Sequence, residues 1–362
     1  MAKRTEPMYI KIYKDLLKEI QNKTYENALP TEGELCSKYG VSRITVQKAL
    51  GILVDKDIIR RIPGRGSFLA DSDDFPGEKP KLLGVVFCHM TASYGLEIFL
   101  EMERYANTKG YSLVFKNSRD DENAEKRAIR ELIGLGVEGI IIQPVHEEIF
   151  NKKILELSLA NFPLVMVDRE LKGLNLSYVG TDNAKATRMM MDYLFSKGHK
   201  QISMFSSHKS SASTIETRLD AFRTAYLLSG FPYREEYLYT DIRSTGGTAG
   251  GEAEDIENIC RYLSKNREIS CIFCSEYSIA QLTHEAVSRL GMRIPEDISV
   301  VTFDAEMGAS RASLFTYIRQ NQEEMARCCI DIFLSLTKNS DSIQKVRLDA
   351  ELVDCGSVRS LA

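Results

Sequence analysis

Seven short, largely apolar runs separated by helical patterns constrain this chain more than any other feature. They fall at residues 82–87, 111–115, 139–142, 164–167, 201–205, 271–274 and 299–303. Apolar strands alternating with amphipathic helices form parallel sheets whose two faces are both covered. The segment that holds them, residues 82–362, is large for one such sheet, so two α/β lobes are expected. No apolar run approaches the roughly 18 residues of a membrane span. The polar start Met1-Ala2-Lys3-Arg4-Thr5-Glu6-Pro7 lacks the apolar core of a secretion signal. A cytoplasmic protein is expected, and its eight cysteines then read as reduced thiols. Cys271 and Cys274 have metal-like spacing, but Ile272 and Phe273 between them belong to a buried run and no second pair follows. They read as core thiols, and no metal or cofactor is expected.

The net charge of −4 conceals an asymmetry. Residues 1–70 hold thirteen Lys/Arg against eight Asp/Glu, a charge of +5, which leaves −9 on the remainder. A basic head on an acidic body is expected when only the head touches phosphate. In that head Tyr9, Tyr13, Leu16, Leu17 and Ile20 recur at helical spacing and predict a helix ending near Asn22. Thr31 and Glu34 form a capping box that starts a second helix, which stops at Gly40. Ser42 is expected to cap a third. Its Val46, Ala49, Leu50 and Leu53 face inward, Ile44, Gln47, Lys48 and Gly51 face outward, and Arg43 stands at its N-terminal edge. Two helices joined by residues 39–42 make a helix-turn-helix, whose second helix enters the major groove N-terminus first. Residues 58–62 and 67–69 predict a hairpin with Arg65 and Gly66 at its tip, a shape that reaches into a minor groove. Residues 71–81 are polar, with two prolines and a glycine, and read as a linker between domains 1–70 and 82–362.

This head resembles the winged helix of the GntR family over nearly all of residues 7–70. The resemblance rests on Leu29-Pro30-Thr31-Glu32, on residues 39–46, on Ala49-Leu50 and on Gly64-Arg65-Gly66-Ser67-Phe68. It implies DNA contacts at Ser42, Arg43, Thr45 and Gly66. Gly33 and Gln47 stand where the family often has arginine, and Gln47 reads an adenine edge instead, with about 1–3 kcal/mol of discrimination.

In parallel sheets, function sits beyond the carboxyl ends of the strands. Asp168 and Arg169, Ser275 and Glu276, and Asp304 stand there, with Arg218 on the helix after Phe205. Carboxylates that accept and a guanidinium that donates suit a hydroxyl-rich ligand. The body resembles the effector domain of LacI/GalR regulators and, more distantly, periplasmic sugar-binding proteins. The shared marks are Val167-Asp168-Arg169, Gly180-Thr181-Asp182, residues 196–202, Arg218-Leu219-Asp220-Ala221-Phe222, residues 294–300 and Phe303-Asp304.

That resemblance implies two lobes with crossed connections, residues 82–180 plus 319–340 forming the first. It implies sugar contacts at Asp168, Arg169, Arg218, Ser275, Asp304 and Gln320. Tyr94 is the expected aromatic platform in a chain without tryptophan. Ser275-Glu276 replaces the family's usual Asn-Asp, which leaves the sugar open. A GntR head on a LacI-type body resembles the arabinose repressor family. The expected partners are operator DNA, a neutral monosaccharide and a second copy of the chain, since a two-fold dimer matches a palindromic site. The alternatives are a nucleobase or phosphosugar effector, or an activator. A phosphate loop, a His-Glu-x-x-His motif and a Gly-x-Ser-x-Gly elbow are all missing from the sequence, so no catalytic residue is expected.

Overall fold

In the first helix, α1 (Met8–Gln21), Ile12, Leu16 and Ile20 are the deepest residues, one turn apart, while Tyr9, Tyr13 and Leu17 flank them. The computed structural model describes residues 7–25, 28–62, 65–70, 81–147, 151–171, 173–207, 212–244, 251–306 and 313–361. The predicted linker lies outside these except for Lys81, as do Pro63 and Gly64 of the hairpin. Two compact units divide the chain, residues 1–80 and 81–362.

In the first unit, α2 (Glu32–Tyr39) begins at a complete capping box. The Thr31 hydroxyl accepts from the Glu34 N–H at 3.3 Å, and the Glu34 carboxylate accepts from the Thr31 N–H at 2.7 Å. Gly40 ends the helix with φ of 63°, left-handed as its missing side chain allows. The third helix, α3 (Arg43–Asp55), buries Val46, Ala49, Leu50 and Leu53 against α1. Each such side chain contributes about 1.5–3 kcal/mol. The hairpin of β1 (Ile59–Ile62) and β2 (Gly66–Leu69) completes a winged helix, and the Leu29 N–H donates to the Ser67 carbonyl to tie the α1–α2 loop to the wing.

The second unit begins with β3 (Lys81–Phe87), α4 (Leu96–Thr108), β4 (Tyr111–Asn117), α5 (Glu122–Leu135), β5 (Ile140–Ile142), α6 (Lys152–Leu159), β6 (Leu164–Val167) and β7 (Ser177–Thr181). The chain crosses to a second lobe at α7 (Asn183–Ser196). There it builds β8 (Ile202–Ser207), α8 (Ser213–Ser229), β9 (Leu238–Ile242), α9 (Glu252–Lys265), β10 (Cys271–Cys274), α10 (Tyr277–Arg289), β11 (Ser299–Phe303) and β12 (Thr316–Arg319). It returns for α11 (Gln322–Lys338) and β13 (Lys345–Leu348), then crosses a third time into β14 (Glu351–Val353).

The two sheets have matching orders, β13-β7-β6-β5-β3-β4 and β14-β12-β11-β10-β8-β9. Every pairing in them is parallel except β12 with β14. The apolar runs serve both faces of a sheet, because successive side chains point opposite ways. Val165 and Val167 pack with α11, while Leu164 and Met166 face the core beneath α5 and α6. Cys271 and Cys274 are fully buried thiols of β10. The expected first lobe, 82–180 plus 319–340, is close to the observed one but stops short of β13, whose exposed Lys345 and Arg347 give it no apolar signature.

Candidate functional site

At the head, the first turn of α3 presents Ser42, Arg43, Ile44, Gln47 and Lys48 to solvent, with Thr45 half-buried among them. Ser42 is the N-cap residue, but its hydroxyl does not cap the helix; it hydrogen-bonds the Thr45 hydroxyl at 3.0 Å. The start of α3 thus lacks both a side-chain cap and an acidic residue in its first turn, an arrangement suited to a phosphate. In the wing, Arg65 and Gly66 are exposed, and Gly66 has φ of 115°, which a side chain would strain. Glu32, visible in the sequence only as part of the motif Leu29-Pro30-Thr31-Glu32, joins this edge from the start of α2. Its carboxylate accepts from Arg43 Nε at 2.6 Å, from Gln47 Nε2 at 3.1 Å and from Arg61.

In the body, matching sheet orders place Asp168 after β6 and Asp304 after β11, at equivalent points of the two lobes. Both adopt left-handed backbone, with φ of 65° and 61°. This conformation is uncommon for a residue with a side chain, and here it ends each strand abruptly. Each donates its N–H to the next strand, Asp168 to Val179 at 2.8 Å and Asp304 to Ile318 at 2.9 Å. Each also accepts a glutamine amide on Oδ2, from Gln143 at 2.9 Å and from Gln320 at 2.8 Å. The glutamines are themselves anchored. The Cys88 thiol and the His89 N–H donate to Gln143 Oε1, and the Thr181 hydroxyl donates to Gln320 Oε1 at 2.7 Å, where two lobe crossings meet.

Arg218 is buried beside these carboxylates. Its Nε donates to Asn183 at 2.7 Å, its Nη1 donates to the Ser275 carbonyl at 2.6 Å, and its guanidinium lies 3.6 Å from the centre of the Phe303 ring. Burial lowers its pKa even though Asp304, Asp168 and Tyr94 pull the other way. Burial pushes the Asp304 carboxyl up to about 7, outweighing the nearby Arg218 charge. Tyr94, half-buried, is raised well above an ordinary phenol by burial and by the Asp168 charge. Across the cleft, buried Glu147 of the first lobe accepts the Ser213 N–H at the start of α8 on both oxygens, at 2.9 and 3.0 Å. Burial raises its carboxyl to about 7.

The structure brings Tyr94, Asp168, Arg218, Asp304 and Gln320 together. Two further expected residues hydrogen-bond the protein around the cluster. Ser275 is fully buried; its hydroxyl donates to Ser206 and its carbonyl holds Arg218. Arg169 donates Nη1 to the Pro144 and Val145 carbonyls and so staples the loop after β5. Gln143, Asn183, Phe303 and Glu147 were not anticipated. Gln143 follows the run 140–142 at a strand's carboxyl end, the same position that singles out Asp168. Phe303 looked like core, yet its ring is the platform for Arg218. His199 is buried in a helix-to-strand turn between Ser270 and the Arg359 carbonyl, a structural role.

Residues 8–69 match the bacterial regulatory proteins of the gntR family, and residues 191–358 match the periplasmic binding protein-like domain. The chain is a DNA-binding transcriptional regulator with a gntR-type head and a periplasmic-binding-protein-like body. It is 25% identical over 372 residues to the arabinose metabolism transcriptional repressor of Geobacillus stearothermophilus, covering 100% of both chains. The transcription regulator CcpA of Lactococcus lactis has the body's fold, with a TM-score of 0.66 at 18% identity over 78% of this chain and 100% of that one. The lac repressor dimer bound to operator and the anti-inducer ONPF gives a TM-score of 0.65 at 18% identity, over 83% and 100%. These relatives are regulators and not enzymes. Among the described residues, no helix is long and apolar enough to cross a membrane.

Proposed function

We propose that this regulator is a repressor released by a neutral monosaccharide bound between Asp168 and Asp304. The observation that carries the reading is the equivalent placement of these two carboxylates, one per lobe, each with Oδ2 held by an amide. The carboxylates accept from ligand hydroxyls, Arg218 donates to a ring or hydroxyl oxygen, and Tyr94 packs against the sugar. A ligand that bridges both lobes favours whichever arrangement lets it make the most contacts. Two carboxylates facing one arginine disfavour a phosphosugar. Full-length likeness to an arabinose repressor supports a pentose; a hexose or deoxyhexose fits the same chemistry.

The head, residues 1–70, is the domain that binds double-stranded operator DNA, joined through the linker 71–81 to the body 82–362, which also dimerises. Ser42, Arg43, Thr45, Gln47 and Lys48 enter the major groove, while Arg65 and Gly66 reach the minor groove. A thermal-shift screen of pentoses, hexoses, deoxyhexoses and their phosphates tests the effector. A ligand at 100 times its Kd adds about 2.7 kcal/mol. Protection by a phosphosugar and by no neutral sugar would overturn the reading.

A further inference from the structure

We propose that Glu32 is the positioning residue of the DNA-reading edge, its carboxylate deciding which hydrogen-bonding groups Arg43 and Gln47 offer to the bases. The inference rests on the head being the DNA-binding domain. Glu32 opens α2, outside the recognition helix, and its side chain is only 15% exposed while that of Arg43 is 75% exposed. An isolated surface ion pair contributes little. Here one carboxylate joins three elements: Oε2 takes donors from two positions of α3, and Oε1 takes one from Arg61 of β1. The Arg43 hydrogen bond, with those of Gln47 and the charge of Arg61, holds the Glu32 carboxyl below its usual range, so it stays ionised at neutral pH.

The chemistry of what is left over follows. Arg43 spends Nε–H on Glu32, which leaves its two terminal nitrogens as a fork for guanine O6 and N7. Gln47 spends one N–H on the same oxygen, which orients its amide and leaves Oε1 and the second N–H for another partner. That acceptor–donor pair is what an adenine N6 and N7 edge requires. Without an anionic acceptor the amide can turn over and the arginine can swing to phosphate, which binds any sequence.

The test is selection from a random duplex library by the full chain and by its variants, with thermal melting of each. Arg43→Ala and Gln47→Ala first identify the base positions that each residue reads. Glu32→Gln should weaken discrimination at those positions by about tenfold, and leave the melting transition within about 2 °C. Glu32→Asp keeps the charge but shortens the reach, and should relax the same positions. In a Gln47→Ala background, Glu32→Gln should have no further effect at the position that Gln47 reads. Wild-type preference in either Glu32 variant overturns the proposal. So does a loss spread over positions that neither Arg43 nor Gln47 controls, which marks a merely structural role. If Glu32→Gln melts the head, Glu32→Asp decides, alone and in the Gln47→Ala background. A wild-type chain that selects no preferred sequence overturns the DNA-reading assignment itself, and this inference with it.

Discussion

Replacing Asp304 by Asn should stabilise the ligand-free body while abolishing its response to sugar. The wild-type carboxyl is raised from an ordinary 3.8 to about 7, chiefly by burial. The folded state therefore binds this proton more tightly than the unfolded state does. Stability falls as pH rises from about 4, where the unfolded carboxyl ionises, to about 7, where the folded one does; above that the loss is complete. At about 1.4 kcal/mol per tenfold change in proton affinity, holding the ionised group in place above pH 7 costs the fold about 4 kcal/mol. Asparagine has the same shape, still accepts from Gln320, and carries no charge to desolvate. Its advantage should be about 4 kcal/mol at pH 8 and roughly a third of that at pH 5. For a body of this size that is a rise in Tm of several degrees at pH 8. Calorimetry of both proteins from pH 5 to 8, with the other titrations cancelling in the difference, reads this directly. A pH-independent difference, or a variant less stable at pH 8 than at pH 5 relative to wild type, would refute the argument. Titration with the protecting monosaccharide should show at least a tenfold loss of affinity in the variant, since a charged acceptor is gone.

Arg43→Ala should lower operator affinity at least tenfold and leave sugar binding unchanged, as measured by separate titrations; unchanged operator affinity would remove Arg43 from the interface. Gly139→Ala should destabilise the body by about 1–3 kcal/mol in denaturant unfolding. An added methyl there would overlap the Phe333 ring of α11 and the Pro163 carbonyl. Glu147→Gln should loosen the contact between the lobes at Ser213, where the two carboxylate oxygens now share one N–H. Faster hydrogen exchange at the start of α8 is the expected sign, and unchanged exchange there would show that the contact does not hold the lobes.

The strands carrying the site were legible because a parallel strand buried on both faces must be largely apolar: residues 164–167 and 271–274 are so throughout, and 299–303 is interrupted only by Ser299 and Thr302. Strands β9, β12, β13 and β14 carry polar or exposed residues and give no such run. The capping box at Thr31 and Glu34 and the left-handed stop at Gly40 were also legible, since each is a local hydrogen-bonding or steric matter within a few residues. Ser42 stands at the N-cap of α3, as its place before the helix predicts, but its hydroxyl pairs with that of Thr45 and not with a backbone N–H, a choice the sequence does not record.

What the sequence by itself determined, then, is everything that depends on neighbours in the chain: the strand–helix alternation, the helix-turn-helix, the acidic residues at strand ends. Only the tertiary structure decided which of these meet. Asp168 and Asp304 stand 136 positions apart in the chain and share a site because matching sheet orders and the crossings between lobes bring both strand ends to one cleft. Whether Arg169 and Ser275 touch a ligand or brace those that do depends on which carbonyl or hydroxyl lies within about 3 Å, a distance that no local pattern records. The same is true of Glu32. Its type and position are plain in the sequence, but its hold on Arg43, Gln47 and Arg61 exists only once α2, α3 and β1 have packed together.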